Sequence, residues 1–353
     1  MRIILVGGGT SGHINPALNI AEYIREMDKN AEILYVGSKS GTEESLAKKS
    51  NLNFHGITVS GFSRKISFEA LSKNFHTIKN TVISSFESKQ ILKDFKPDIC
   101  VGTGGYVMGA FLYQASLCNI PFVIQEQNAI PGLTTKILAK HARAVLLGSD
   151  DAKKYFNGAN CIVTGNPVKN NFANISKEEA KNKLGISNNL PTILSFGGSL
   201  GAPAINNVIL DLMKMNKYNH IHGYGRNNKK FEDNIKIMKN HNIREYIYNM
   251  DECMVACDVV ICRAGAMTLS ELAILGKPAI LIPSPHVANN HQFYNALSYS
   301  KKFTASVVNE KDLDSEKLSI EIDRLLKFRQ EHIVEKSLSC EKIYEVLTSI
   351  VRH

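Results

Sequence analysis

The chain has 353 residues, 44% of them apolar and 21% charged. That length exceeds what one hydrophobic core usually serves, and that balance excludes a disordered chain, so two soluble domains of ordinary size are expected. The net charge of +9 would suit nucleic acid, an anionic membrane or an acidic substrate, but no nucleic-acid motif or basic–aromatic tract accompanies it.

Met1–Val6 runs directly into an apolar segment without the apolar region and cleavage site of a signal peptide, and no run of about 18 apolar residues follows. A cytosolic protein is expected. The seven cysteines show no CxxC pair and no zinc-like spacing with histidine; Cys100, Cys161 and Cys262 sit in apolar runs as small core residues.

Apolar β-branched runs alternate with helical patterns. Arg2–Val6, Glu32–Val36, Ile99–Val101, Phe122–Ile124, Ala144–Leu147 and Cys161–Thr164 read as one strand series. Thr192–Phe196, His220–Tyr224, Tyr246–Tyr248, Val259–Cys262, Ala279–Ile282 and Ala305–Val308 read as a second. Such runs with helices between them predict an α/β protein of two Rossmann-like parallel-sheet domains. The break falls at Gly165-Asn166-Pro167, giving domains 1–164 and 165–329, with a last helix in 330–353.

Phe68, Leu71, Phe75, Ile78, Val82 and Phe86 recur at helical spacing among Lys65, Lys73, Lys79, Lys89 and Lys93. This pattern reads either as the core face of one or two helices or as a face set against anionic lipid.

Each series opens with a strand that runs into a glycine turn, Gly7-Gly8-Gly9-Thr10-Ser11-Gly12 in the first and Gly197-Gly198-Ser199-Leu200-Gly201 in the second. Gly7, Gly9 and Gly12 match GxGxxG, but the second strand ends Tyr35-Val36-Gly37-Ser38 without the acid that a dinucleotide ribose needs. Lys39 could meet a 2′-phosphate, which keeps an NADP-dependent oxidoreductase open, and the glycines could equally serve only a tight turn. A further loop, Gly102-Thr103-Gly104-Gly105-Tyr106, follows Ile99–Val101. Glycine loops in both halves suggest a cleft holding two substrates, with helix N-termini offering N–H groups to an anion.

The ordered set Gly8–His13, Gly102–Tyr106, Glu126-Gln127-Asn128, Gly165–Val168, Gly197–Ser199, Cys262–Glu271 and His291–Ala296 resembles the MurG family, bacterial transferases that add N-acetylglucosamine to lipid I to make lipid II. The resemblance implies a GT-B fold, two Rossmann-like domains facing a cleft, with the last helix crossing back to the first domain. It implies UDP-N-acetylglucosamine as donor on the second domain and lipid I as acceptor on the first. It also implies peripheral attachment to the cytoplasmic face of the inner membrane, through its anionic surface, and contact with a cell-wall synthesis complex.

Residue by residue, the resemblance places Ser199 on the diphosphate, where its hydroxyl could also cap a helix. It places Glu271 on the ribose hydroxyls, although the position alone would read as a surface helical glutamate. Ile247 would recognise uracil through its main chain, Ala266, Met267, Thr268, Leu269 and Ser270 would present a helix start to the donor, and His291 and Gln292 would reach the sugar. Thr10, Ser11, Gly12 and Asn128 would act from the first domain. Leu200 replaces a frequent glutamine, Lys169 a common arginine, His291 a frequent glutamine and Gln125 a frequent histidine, so one phosphate contact, a bidentate clamp, a sugar contact and one base option are altered.

The implied reaction is an inverting displacement needing a base and stabilisation of departing UDP. His13 and then Glu126 are the base candidates, His13 having helix capping or phosphate contact as its other reading. No metal motif lies near a donor loop, Asp312-Leu313-Asp314 reads as a helix cap, and neither metal nor cofactor is expected. Other GT-B acceptors and a non-enzymatic sugar-nucleotide binder remain as alternatives.

Overall fold

The computed structural model describes residues 1–41, 43–59, 68–169, 172, 175–186, 189–226, 228, 242–328 and 337–352, with the backbone alone over 68–79. It divides into two compact units, Met1–Val168 with Leu338–His353, and Lys169–Ser337.

The first unit is built on β1 (Arg2–Gly7), β2 (Glu32–Ser38), β3 (Asn53–Ile57), β4 (Ile99–Gly104), β5 (Phe122–Glu126), β6 (Ala144–Leu147) and β7 (Cys161–Val163). All pair in parallel, in the order β3-β2-β1-β4-β5-β6-β7. β5 and β6 are buried along their whole length, and β1 and β4 nearly so, which is why they read as unbroken apolar runs. The helices are α1 (Ser11–Met27), α2 (Glu43–Lys49), α3 (Phe68–Phe95), α4 (Gly105–Leu117) and α5 (Leu133–Leu138). α1 buries Ile14, Ala17, Ile20, Ala21 and Ile24, a stripe at helical spacing, against Ile3, Leu5 and Val101 of the sheet.

The second unit repeats the plan with β8 (Thr192–Phe196), β9 (Asn219–Gly223), β10 (Asn242–Arg244), β11 (Val259–Cys262), β12 (Ala279–Leu281) and β13 (Ala305–Val307), all parallel, in the order β10-β9-β8-β11-β12-β13. Its described helices are α6 (Lys177–Lys183), α7 (Pro203–Lys214), α8 (Met250–Ala256), α9 (Ala266–Leu275), α10 (His291–Ser300) and α11 (Ser315–Leu325). Both sheets reverse direction of growth beside their opening strand, β1/β4 in one and β8/β11 in the other. That switch is where a doubly wound sheet binds ligands, off the carboxyl ends of its strands.

The last helix, α12 (Ser339–Arg352), belongs to the first unit. Ile343 and Leu347 enter the core beside Ile14 and Ala17, and Tyr344 meets Tyr23 edge-on at 6.1 Å.

Two strands depart from expectation. β3 was absent from the sequence reading because Asn-Phe-His-Gly-Ile at a sheet edge carries no apolar run. β10 lies at Asn242–Arg244, and Tyr246–Tyr248, whose aromatic and β-branched character suggested a strand, belongs to the turn after it. Asp314 caps α11, its carboxylate accepting the Lys317 N–H at 2.9 Å.

Candidate active site

In the first unit, the β1 and β4 loops meet at the sheet's switch point. Gly8 N–H donates to Gly104 O at 3.2 Å, and the Thr103 hydroxyl donates to His13 O at 2.7 Å. The His13 ring lies against Gly104, where a Cβ would fall 2.4 Å from its Cδ2, and Gly104 sits at φ +122°. Only glycine combines that dihedral with that clearance. His13 Nδ1 stands 3.1 Å from Gly8 O. Carbonyl oxygen cannot donate, so this bond places the neutral ring's proton on Nδ1 and the lone pair on Nε2. Thr10 Oγ1 lies 3.4 Å from the same nitrogen, and Ser11 and Gly12 begin α1 beside it.

Glu126, the other base candidate, is buried at the end of β5. Its carboxylate accepts the Asn128 N–H at 3.1 Å, Asn128 Nδ2 at 3.0 Å and the Gly132 N–H at 3.2 Å. These bonds close the loop from Asn128 to Gly132 and engage both oxygens. Asn128 is thereby turned onto Glu126. Gln125 donates to Asn166 Oδ1 at 3.0 Å, and Gln127 Nε2 donates to Thr103 O at 2.8 Å, so the glutamine that replaces the family's frequent histidine belongs to a buried amide network. Thr103 and Asn166 are positioning groups: the sequence marks the motifs that carry them, Gly102–Tyr106 and Gly165–Val168, but assigns these two side chains no role.

In the second unit, the β8 loop turns through Gly198 and Gly201 at φ +92° and +81°. Ala202, not Ser199, is the N-cap of α7. The Ser199 hydroxyl makes no hydrogen bond among the described residues, while its carbonyl accepts the Arg226 N–H at 3.3 Å. The capping reading of Ser199 therefore falls away. Leu200 is exposed beside it, and Lys169 is exposed at the start of the unit. Arg226 lies over the Tyr246 ring at 5.7 Å, and the Ile247 side chain is buried in the core.

The β11 loop leads through Gly265 into α9, which has neither a side-chain cap nor an acidic first turn, so the Ala266 and Met267 end has positive polarity. Thr268 is half-buried, Leu269 is buried, and Ser270 donates back to Ala266 O at 3.0 Å. Glu271 is half-buried and meets no hydrogen-bond donor among the described residues. Burial first, and the nearby Asp251 second, push its carboxyl up to about 7. Arg263 donates to Ile282 O and Pro283 O at 3.2 and 3.3 Å and pairs with Glu310, which fixes the loop after β12. That loop leads to His291, whose Nδ1 meets Ala288 O at 2.9 Å, and to Gln292, whose Oε1 accepts the Ser284 N–H at 2.9 Å.

Two doubly wound units, each with its glycine loop at the switch point, define the GT-B class. Comparisons with known proteins agree. Residues 3–147 match the glycosyltransferase family 28 N-terminal domain and residues 192–347 its C-terminal domain. The UDP-N-acetylglucosamine--N-acetylmuramyl-(pentapeptide) pyrophosphoryl-undecaprenol N-acetylglucosamine transferase of Acetivibrio thermocellus is 39% identical over 369 residues, spanning 100% of this chain and 99% of that protein. The transferase of the same name from Thermoanaerobacter sp. is 41% identical over 367 residues, spanning 99% and 100%. The crystal structure of Acinetobacter baumannii MurG shares the fold with a TM-score of 0.73 at 24% identity, covering 99% of each chain. The chain belongs to glycosyltransferase family 28 and, within it, to the MurG family.

Proposed function

We propose that this protein transfers N-acetylglucosamine from UDP-N-acetylglucosamine to the 4-hydroxyl of the N-acetylmuramyl residue of lipid I, forming lipid II. The observation that carries the reading is the near-40% identity over the full length of two transferases of that activity. The site geometry supports it in each unit separately.

The acceptor and its base are assigned to the first unit. With Nδ1 bound to Gly8 O, His13 presents Nε2 to the attacking hydroxyl and takes its proton. The hydroxyl oxygen forms the new bond at the anomeric carbon with inversion, the bond to UDP breaks, and the electron pair leaves on the diphosphate. Glu126 holds the Asn128–Gly132 loop in place, so His13 is favoured as the base. Thr10, Ser11, Gly12 and Asn128 line the acceptor side.

The donor is assigned to the second unit. The Ser199 hydroxyl and the loop N–H groups receive the diphosphate, with Lys169 as a point charge, and stabilise the leaving group without a metal. Glu271 accepts the ribose hydroxyls, Ile247 meets uracil through its main chain, and the Ala266–Ser270 helix start faces the donor. His291 and Gln292 reach the sugar.

Peripheral attachment to the anionic cytoplasmic face of the inner membrane follows from a lipid-linked acceptor, and a cell-wall synthesis complex is the expected setting. No described helix is long and apolar enough to cross a membrane. Val82 and Phe86 of α3, Tyr113 and Leu117 of α4, and Leu133 and Ile137 of α5 are exposed on three neighbouring helices, with Lys89, Lys93 and Lys140 exposed around them. These helices are the proposed membrane face.

Titration calorimetry with UDP-N-acetylglucosamine and NADPH tests the donor assignment. Binding of the sugar nucleotide, weakened about tenfold or more by Ser199→Ala, is the expected result. Binding of NADPH alone would overturn it.

A further inference from the structure

Glu43 opens α2 and is completely buried. Its Oε1 accepts the Gly9 N–H at 2.7 Å, and its Oε2 meets no donor among the described residues. Three separate glycines make room for it. A Cβ at Gly8 would lie 2.2 Å from Oε1, one at Gly41 1.5 Å from Oε2, and one at Gly37 2.8 Å from the Glu43 Cβ. A completely buried carboxyl group with one oxygen left unsatisfied among the described residues is costly. A chain that clears three positions for such a group retains it for something other than stability.

The first glycine loop shows what it does. Gly7 O accepts the Tyr35 hydroxyl at 2.8 Å, Gly8 N–H donates to Gly104 O, Gly8 O accepts from His13 Nδ1, and Gly9 N–H donates to Glu43. A phosphate cradle keeps loop N–H groups open toward its anion. Here the N–H groups of Gly8 and Gly9 are both taken by the protein. This part of the loop is a frame, and the group it holds is His13.

We propose that Glu43 is a positioning residue: by anchoring Gly9 it fixes the first glycine loop in the form that orients His13. The catalytic consequence rests on the functional reading above; the anchoring does not. Glu43→Leu removes the acceptor and the charge at similar volume, and Glu43→Gln keeps an acceptor oxygen. The full-length variants are assayed for transfer to a lipid I analogue, for UDP-N-acetylglucosamine affinity, for thermal midpoint, and for hydrogen exchange in the 7–13 segment.

Leu is expected to lower kcat by tenfold or more and Gln by less, with donor affinity within twofold of wild type. The Leu variant melts no lower than wild type, because a buried polar group with an unsatisfied oxygen has gone, yet its 7–13 segment exchanges at least tenfold faster. A purely structural role would move midpoint, affinity and kcat down together, and that result overturns the proposal. So does a Leu variant with kcat within twofold of wild type or with unchanged exchange at 7–13. Should Leu fail to bind donor, Gln decides by the same exchange and kcat criteria. Should wild type transfer nothing, the functional reading fails on its own, and exchange at 7–13 still decides the role of Glu43.

Discussion

In the proposed donor site, Glu271 would trade stability for binding. Its carboxyl, pushed up to about 7 by burial and by Asp251, meets no hydrogen-bond donor among the described residues. A group whose folded pKa is raised contributes stability that is fully present below its unfolded value near 4.5 and is lost as pH rises through 7. Glu271→Gln is therefore expected to raise the midpoint of the ligand-free protein at pH 8, by roughly 1–3 kcal/mol of stability, and to leave it little changed at pH 4.5. Binding runs the other way. The ribose hydroxyls favour the carboxylate, so wild-type affinity for UDP-N-acetylglucosamine should be about tenfold weaker at pH 6 than at pH 8. The sugar nucleotide's diphosphate diester does not titrate in that range, which isolates the protein group. Calorimetry at both pH values, with and without the substitution, checks this; an equal pH dependence in the glutamine variant would remove Glu271 from the donor site. His13 makes a related point about legibility. Its position after a glycine loop could be read locally, but the bond to Gly8 O that sets its tautomer could only be seen once the loop was folded.

Helices and strands differed in how plainly they were written. The central strands were legible because parallel strands covered on both faces read as continuous apolar runs. Edge strands β3 and β10 were not, since only Ile57 of β3 and no residue of β10 is fully buried and little apolar patterning survives. Glu43 was missed for a different reason. It lies 34 residues from Gly9, and nothing within a local window marks that pairing. The traces that could have revealed it are Gly37 and Gly41, which flank it at close range. The α3 pattern was ambiguous between core and membrane. Side chains of Phe68, Leu71, Lys73, Phe75, Ile78 and Lys79, and all of Lys65, lie outside the described residues. Val82 and Phe86, however, are 54% and 73% exposed, so the core reading does not hold for them. Flotation with vesicles containing anionic lipid should carry the protein upward at low salt, and replacing Phe86, Leu117 and Ile137 together by serine should reduce the floated fraction several-fold. Equal flotation of that variant would contradict a membrane face on these helices.

At the scale of the whole molecule, two units share one strand order, the first adding a seventh strand at its edge, and the proposal gives them different work. In the first, loops from adjacent strands lock together and hold a histidine; in the second, the Ser199 hydroxyl and the Glu271 carboxyl meet no side-chain partner among the described residues. The fold was legible as architecture from its strands and loops, whereas the choice of sugar nucleotide over dinucleotide came from ordered motifs and now from full-length relatives. The most direct test of the central claim is transfer of radiolabelled N-acetylglucosamine from UDP-N-acetylglucosamine to a lipid I analogue, comparing wild type with His13→Ala. The account predicts labelled lipid II with stoichiometric UDP from wild type, and a kcat lowered about 10²–10⁴-fold in the variant with donor affinity retained. Label released only as free sugar, or turnover by His13→Ala within twofold of wild type, would contradict it.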